Sequence, residues 1–214
     1  MGELRWAVGA VALDQPCGWI RKSPTFDLAL EVGYTVVLVH GLGPEQLRGV
    51  LRAEPCGMAV GIDPIVEAAY DGVDVVGVVP VSGDGGSWSL LVSVTDAMAM
   101  RPRLLETLSE GRRVVAHSGN GGKPMDFFFW YQDGELRMGF ESPCDRDGTT
   151  PDELVPLMRA LGCDVDGEQD LDVYDEKAAV LALAERLTGV RIAEGFLREA
   201  EFRMMRVPGV PDEE

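Results

Sequence analysis

The stretch DFFFWYQDGELRMGFESPCDRDGTTPDELVPLMRALG, residues 126–162, predicts a β-hairpin that leads into a helix. Residues 127–131 form an apolar and aromatic run of the composition that strands favour. Asp133 and Gly134 follow, and both tolerate the positive φ angles that a type I′ hairpin turn requires. A return strand is therefore expected over residues 136–141.

The same stretch carries signals for the two ends of a helix. Thr150 can act as the N-cap, Pro151 suits the first helical position, and Glu153 can return a hydrogen bond to the cap. Gly162 stands where a left-handed residue commonly ends a helix. We therefore expect a capped helix between Thr150 and Gly162.

The aromatic strand is expected to lie inside a sheet rather than at its edge. Five consecutive aromatic residues without a proline, a lysine or an internal charge would leave an edge open to strand addition. We predict the strand at residues 136–141 on one side and a strand at residues 113–116 on the other. A helix near Thr150 or Asp175 should cover one face, and Phe129→Ala should cost about 3–5 kcal/mol of stability.

The rest of the chain alternates strand-like and helix-like segments at short spacing. Short turns between successive strands favour antiparallel pairing, because a parallel pair needs a long crossover. We expect one α+β domain over residues 1–214, with an antiparallel sheet of about five or six strands covered by helices. Two helices should finish the chain, one of them over residues 175–187. Further strands are expected at residues 35–40, 75–81 and 88–94, and further helices at residues 44–51, 64–70 and 101–108.

The charge balance restricts the possible partners. The chain has 36 acidic and 19 basic residues, and its formal net charge is −17. Such a field repels nucleic-acid phosphates and anionic lipid head groups, and it attracts basic proteins. We expect no nucleic-acid partner, no membrane partner and a possible basic protein partner. An acidic surface that contacts only solvent is the alternative.

Cysteine and hydropathy patterns favour a reducing cytoplasm. The four cysteines lie at wide spacings without a Cys-x-x-Cys pair, and only two histidines could join them at a metal. Residues 1–5 lack a basic region followed by an apolar core of signal-peptide length. No apolar run approaches the roughly 20 residues of a membrane span. We expect reduced thiols, no resident metal and no cofactor.

Three short motifs resemble known sites but lack essential residues. The strand that ends in His40 and Gly41 resembles the approach to a hydrolase oxyanion loop, but Ser118 has no glycine two residues away on either side. Residues 117–124 lack the first glycine and the hydroxyl of a phosphate-binding loop. The acidic run at residues 164–175 offers oxygen ligands without the glycine that a calcium loop needs at its sixth position. Calcium binding stays open there, beside a solvated loop that caps the next helix.

Aromatic and charged residues around the hairpin are the remaining candidates for a binding site. Trp88 and Trp130 could form a platform for a ligand, with Glu141 or Asp145 as an acid or base in an apolar pocket. Charged groups close together after the hairpin could instead recognise a partner. The candidate binding residues are Trp88, Trp130, Asp133, Glu141, Asp145 and Arg146, and no catalytic residue is assigned.

Four stretches of the chain together resemble an uncharacterised actinobacterial family known only as a domain of unknown function. The likeness rests on residues 34–47, on the hairpin and Phe140-Glu141 after it, on residues 148–154 and on residues 182–190. The resemblance implies no known substrate, cofactor or catalytic residue. The chain is also loosely similar to acidic immunity proteins, small α+β domains that neutralise toxins.

Two hypotheses from different functional classes follow. The first is a non-enzymatic cytoplasmic binding protein that uses its acidic surface to hold a protein partner, such as a basic toxin or effector. The second is a small-molecule-binding protein or enzyme with a pocket beside the hairpin and an isolated carboxylate. An enclosed pocket with a desolvated carboxylate would favour the second hypothesis, and a flat acidic face would favour the first.

Overall fold

The computed structural model describes residues 17–21, 23, 33–71, 74–94, 101–120, 125–168 and 176–208. Within these ranges it contains one nine-stranded antiparallel sheet and six α-helices. The strands are β1 (Tyr34–His40), β2 (Glu54–Val60), β3 (Val75–Gly83), β4 (Gly86–Ser93), β5 (Arg113–Asn120), β6 (Met125–Gln132), β7 (Glu135–Phe140), β8 (Arg146–Asp147) and β9 (Glu201–Arg206). The helices are α1 (Pro44–Leu51), α2 (Asp63–Tyr70), α3 (Pro102–Ser109), α4 (Val155–Ala160), α5 (Glu176–Thr188) and α6 (Glu194–Glu199), and a 3-10 helix spans Gly18–Arg21.

The strand order is β2-β9-β3-β4-β1-β5-β6-β7-β8, and the described neighbours pair antiparallel. The expected α+β class with an antiparallel sheet is confirmed, but the expected number of strands is too low. Strand β2 contains Pro55 and Gly57, which are unfavourable in strands and hide it in the sequence. Two helices do not finish the chain, because β9 follows α6 and inserts between β2 and β3.

The aromatic strand lies where we expected it. Strand β6 is hydrogen-bonded to β5 on one side and to β7 on the other. Asp133 and Gly134 have φ angles of 55° and 84°, so both take the positive values of a type I′ turn. Helix α5, from the region of Asp175, packs over β5 and β6. Residue 175 itself lies outside the described residues.

The helix after the hairpin begins later than its capping signals suggest. Helix α4 starts at Val155, and the Thr150 hydroxyl donates to the carbonyl oxygen of Arg137 at 3.3 Å instead of capping the helix. The Glu153 carboxylate accepts from the Arg137 guanidinium at 2.7 Å. The predicted capping box is therefore wrong, because Arg137 on β7 binds both of its members. The predicted end is confirmed, since Gly162 has a φ of 86° just after the helix.

Two apolar cores lie on the two faces of the sheet. The larger core packs beneath α2, α4, α5 and α6, and it includes Phe128 and Trp130 from the aromatic strand. The smaller core packs beneath α1 and α3, and it includes Tyr131 from the same strand. Alternation along a strand sends neighbouring side chains to opposite faces, so aromatic residues of β6 enter both cores. No described helix has both the length and the apolarity needed to cross a membrane.

Candidate functional site

Carboxylates are concentrated at one edge of the sheet. Residues 133–168, which we name the acidic edge, contain the hairpin turn, β7, β8, α4 and their connections. This segment has ten aspartate and glutamate residues against three arginines, an excess of seven negative charges in a chain whose net charge is −17. The exposed carboxylates are Asp133, Glu135, Glu141, Asp145, Asp147, Asp152, Glu153, Asp166 and Glu168.

The three arginines of the acidic edge all form ion pairs within it. Arg137 pairs with Glu153 at 2.7 Å, Arg146 pairs with Asp152 at 3.1 Å, and Arg159 pairs with Asp166 at 2.8 Å. The Arg159 pair is exposed on both sides, and such a pair contributes little to stability. The consequence of the three pairs here is electrostatic, because the basic groups of the segment are already used by its own carboxylates. The remaining carboxylates give this edge its negative charge.

Arg146 also fixes the shape of the acidic edge. Its Nη1 donates to the carbonyl oxygens of Pro143 and Val165, the second at 3.1 Å, while Nη2 donates to Asp152. These bonds join the turn before β8 to the loop after α4. The Arg146 side chain is mostly buried. This predicted binding residue therefore holds the loop that carries Asp145.

The predicted binding residues fall into two groups. Asp133, Glu141, Asp145 and Arg146 lie on the acidic edge, whereas Trp88 and Trp130 are 2% and 6% exposed and belong to the larger core. The Trp88 indole donates to the carbonyl oxygen of Asp84 at 3.0 Å. The Arg137 guanidinium lies 5.6 Å above the Trp130 ring. The structure therefore does not present the two tryptophans as an open platform beside Glu141 or Asp145.

A buried polar cluster was not predicted from the sequence. The Tyr34 hydroxyl lies 2.8 Å from His117 Nε2, and His117 Nδ1 lies 3.2 Å from the Phe127 carbonyl oxygen. That carbonyl can only accept, so Nδ1 carries the proton and Tyr34 donates to Nε2. Burial lowers the pKa of His117, although Asp126 opposes this effect. Lys177 Nζ donates to Asp126 Oδ2 at 2.7 Å.

Glu176 at the start of α5 adds a second carboxylate to this cluster. Burial is the main cause that raises its pKa from 4.5 to about 7, and the negative charge of Asp126 contributes next. Oxygen atoms of both carboxylates, Asp126 Oδ1 and Glu176 Oε1, are buried without a hydrogen-bond partner among the described residues. The cluster unites β1, β5, β6 and α5, so no local sequence pattern could indicate it.

Glu176→Gln is expected to stabilise the protein at pH 8 and to have little effect near pH 4.5. The folded state raises the pKa of this carboxyl, so folding is favoured by its protonation and is penalised as the pH rises towards about 7. After allowance for solvent screening, the gain above pH 7 should be about 1 kcal/mol. Thermal unfolding at the two pH values measures it, with the exposed Glu135→Gln as control. An equal gain at both values would contradict the assignment.

The described residues contain neither a cluster of potential metal ligands nor a disulfide. In the ranges that the structure describes, no group of three or more potential ligands is placed to hold a metal ion. Residues 169–175 of the possible calcium loop lie outside those ranges, as do residues 121–124 of the glycine-rich loop. Cys17 and Cys163 are buried, Cys56 and Cys144 are exposed, and these four form no disulfide.

Comparisons with known proteins give a family but no activity. The comparison with curated proteins found no match, and neither did the comparison with solved structures. A family model described as a family of unknown function, DUF6461, matches residues 11–212. The expected likeness to a family without an assigned function is confirmed at that level. The chain belongs to the DUF6461 family of unknown function.

Proposed function

We propose that this protein is a non-enzymatic binding protein that holds a basic protein partner against its acidic edge. The observation that carries this proposal is the excess of seven carboxylates over arginines in residues 133–168. Since each arginine there is already paired with a carboxylate of the same segment, the remaining carboxylates are available to cations that a partner would supply. Arginine and lysine side chains of a protein are the matching groups.

The acidic edge suits rapid association with such a partner. Like charges distributed over one surface attract an oppositely charged protein before contact, and this steering mainly raises the association rate. Salt screens it, because the Debye length falls to about 3 Å at 1 M ionic strength. The Arg146 bonds to Asp152 and to the Val165 carbonyl hold the edge in place before binding. Less ordering is then required when the partner arrives.

The partner proposed is a basic toxin or effector in the cytoplasm. The likeness to acidic immunity proteins, at the level of fold class and charge, supports this choice. The absence of disulfides among the four cysteines is compatible with a reducing compartment. An actinobacterial source belongs to the same proposal. It is supported by a composition with only three lysines, in which arginine provides nearly all positive charge.

A capture experiment from the native host tests this proposal. The edge variant combines Glu141→Gln, Asp145→Asn and Asp147→Asn, three exposed changes without an ion pair to any described residue. The matched control combines Glu67→Gln, Asp71→Asn and Asp74→Asn. Its changes are also exposed and remove the same charge, but they lie around α2 and the start of β3.

We expect the wild-type chain and the matched control to capture the same basic protein at low salt. The edge variant should capture at least about tenfold less, because the excess of carboxylates in the acidic edge falls from seven to four. Salt at about 0.5 M should release the protein from all three chains. Equal capture by the edge variant and the control, or capture of no basic protein at low salt, would count against the proposal.

The second functional class has less support in the form that the sequence suggested. Glu141 and Asp145 are exposed, and Trp88 and Trp130 are buried, so these residues do not form an apolar pocket with a desolvated carboxylate. Among the described residues, the carboxylates that burial does desolvate include Asp126 and Glu176. The core around Asp126 is tightly packed. A Cβ atom added at Gly119 would lie only 2.8 Å from Asp126 Oδ1 and 3.0 Å from the Tyr34 hydroxyl, so no space for a ligand is left at this point.

A further inference from the structure

A cleft opens at the end of the sheet that carries the hairpin turn. It has a volume of about 410 Å³, which is within the common range for sites of small molecules. The ends of β1 and β6, the start of β5 and the end of α5 meet there. Its lining includes His40, Trp88, Arg112, Arg113, Gln132 and Leu187.

Two neighbouring arginines line this cleft, and each is anchored by a helix end. Arg112 Nη1 donates to the Leu108 carbonyl oxygen of α3 at 3.2 Å, and Arg113 Nη1 donates to the Leu187 carbonyl oxygen of α5 at 2.6 Å. Arg113 Nε also lies 3.5 Å from Gln132 Oε1. A guanidinium has five N–H donors, so each arginine retains donors after these contacts. Anchoring restricts both side chains before a ligand arrives.

The rest of the lining combines an aromatic ring with further polar groups. The rings of His40 and Trp88 are in contact, with centroids 4.9 Å apart. Trp88 is only 2% exposed, so the half-buried His40 ring is the aromatic surface that the cleft offers. His40 Nε2 lies 3.2 Å from the Gly85 carbonyl oxygen, which can only accept, so this nitrogen is the donor. A ligand with an apolar body and an acceptor group would satisfy both parts of the cleft.

The charge of the cleft is opposite to that of the protein. Two arginines face a single carboxylate in the lining, that of Asp84, whereas the whole chain has a net charge of −17. Burial lowers the pKa of Arg113, and the Asp84 carboxylate opposes this effect. A partly desolvated guanidinium gains from an additional anionic partner. The net positive lining therefore favours an anion and disfavours a cation.

We propose that this cleft binds a small molecule through its carboxylate or phosphate group. The remaining donors of Arg112 and Arg113 would hold the oxyanion, and the half-buried His40 ring, backed by Trp88, would contact the apolar part of the ligand. Arginine matches both oxyanions because its planar donors can form two parallel hydrogen bonds. The cleft and the acidic edge are different surfaces that approach each other only at the hairpin turn. The proposed anion site does not rest on the function proposed for the acidic edge.

Titration followed by NMR tests the cleft with two defined probes. Inorganic phosphate and benzoate are added separately to the full chain at low ionic strength, while the Trp88 indole N–H and the Gln132 side-chain amide are observed. Sodium chloride at the same ionic strength is the control for general salt effects. We expect saturable shifts from at least one probe, with a Kd of about 1 mM or tighter. Tighter binding of phosphate would indicate a phosphoryl ligand, and tighter binding of benzoate would indicate a carboxylate.

Three variants separate the cleft from nonspecific attraction. Arg112→Gln and Arg113→Gln should each raise the Kd of the probe by roughly tenfold or more, since each variant removes a charge-assisted contact. Arg113 also anchors α5, so Arg112→Gln serves as the test if Arg113→Gln does not fold. The matched control Arg198→Gln changes an exposed arginine outside the lining and should leave the affinity within about twofold.

Three results would overturn the proposed anion site. The first is the absence of saturable shifts from either probe up to about 10 mM, a concentration at which even a weak specific site would be occupied. The second is an affinity that neither cleft variant changes. The third is a set of shifts that sodium chloride reproduces. Each of these readouts is independent of protein capture, so failure here and failure of the acidic edge are distinguishable.

Discussion

Phe128→Ala is expected to lower the free energy of unfolding by about 3–5 kcal/mol. Phe128 is fully buried in the larger core, and its ring stacks on Phe140 with centroids 5.2 Å apart. It lies on β6, which has a paired strand on both sides, so the structure around the cavity can relax only slightly. Urea unfolding at neutral pH measures the change.

Phe127→Ala in the same strand is the matched control for this prediction. Phe127 is half-buried and stacks on Phe129 with centroids 6.4 Å apart, so its truncation should cost less than half as much as that of Phe128. Phe129 is also half-buried. We therefore expect Phe129→Ala to cost less stability than the roughly 3–5 kcal/mol that the sequence suggested. Equal costs for Phe127 and Phe128 would contradict the assignment of the two residues to different environments.

Lys177→Met is expected to destabilise the protein by about 3 kcal/mol at pH 8. Lys177 donates to Asp126 at 2.7 Å, and the Asp126 side chain is only 3% exposed. Removal of the ammonium leaves a buried carboxylate without its cation, next to Glu176. Methionine keeps most of the side-chain volume, so the change is mainly electrostatic. Urea unfolding at pH 8 measures it.

The double variant Asp126→Asn with Lys177→Met separates the charge effect from packing. Once the carboxylate is neutral, the missing ammonium should matter much less, and most of the lost stability should return. Lys177→Met should also recover stability at acidic pH, where protonation neutralises the carboxylates. A double variant no more stable than Lys177→Met would show that the lysine acts through packing instead.

Local signals predicted the hairpin and most of the individual elements. The turn at Asp133 and Gly134 is determined by the backbone preferences of two adjacent residues, and that information is present in the sequence. The interior position of β6 followed from the exposure cost of five aromatic residues. Capping signals failed at Thr150, because Arg137, distant in sequence, binds both members of the expected box.

Strands β2 and β9 were not predicted, because their local sequence does not indicate a strand. In β2 only Ala59 is buried, so the strand lacks the alternation that marks a half-buried strand. In β9 the buried residues Phe202 and Met205 are three positions apart, as in a helix, and the strand is held by pairing with β2 and β3. Tertiary pairing thus overrides a weak local preference.

The candidate sites were predictable from the sequence to different degrees. Asp133, Glu141, Asp145 and Arg146 lie close in sequence, and the charge of their segment is visible in its composition. The cleft and the cluster around His117 draw single residues from distant elements, so they exist only in the folded chain. The sequence indicates Trp88 as part of a ligand platform, but Trp88 is buried in a core that strands and helices distant in sequence form together.

Hydrogen exchange of the chain, alone and in the complex captured from its host, tests the acidic edge most directly. We expect binding to slow exchange in residues 140–147 and 163–168, where the partner covers the exposed carboxylates and the loops that Arg146 holds together. Exchange in residues 54–70, at the other end of the sheet, should not change. Protection of residues 54–70 or of the cleft, without protection of residues 140–147, would contradict the proposed function.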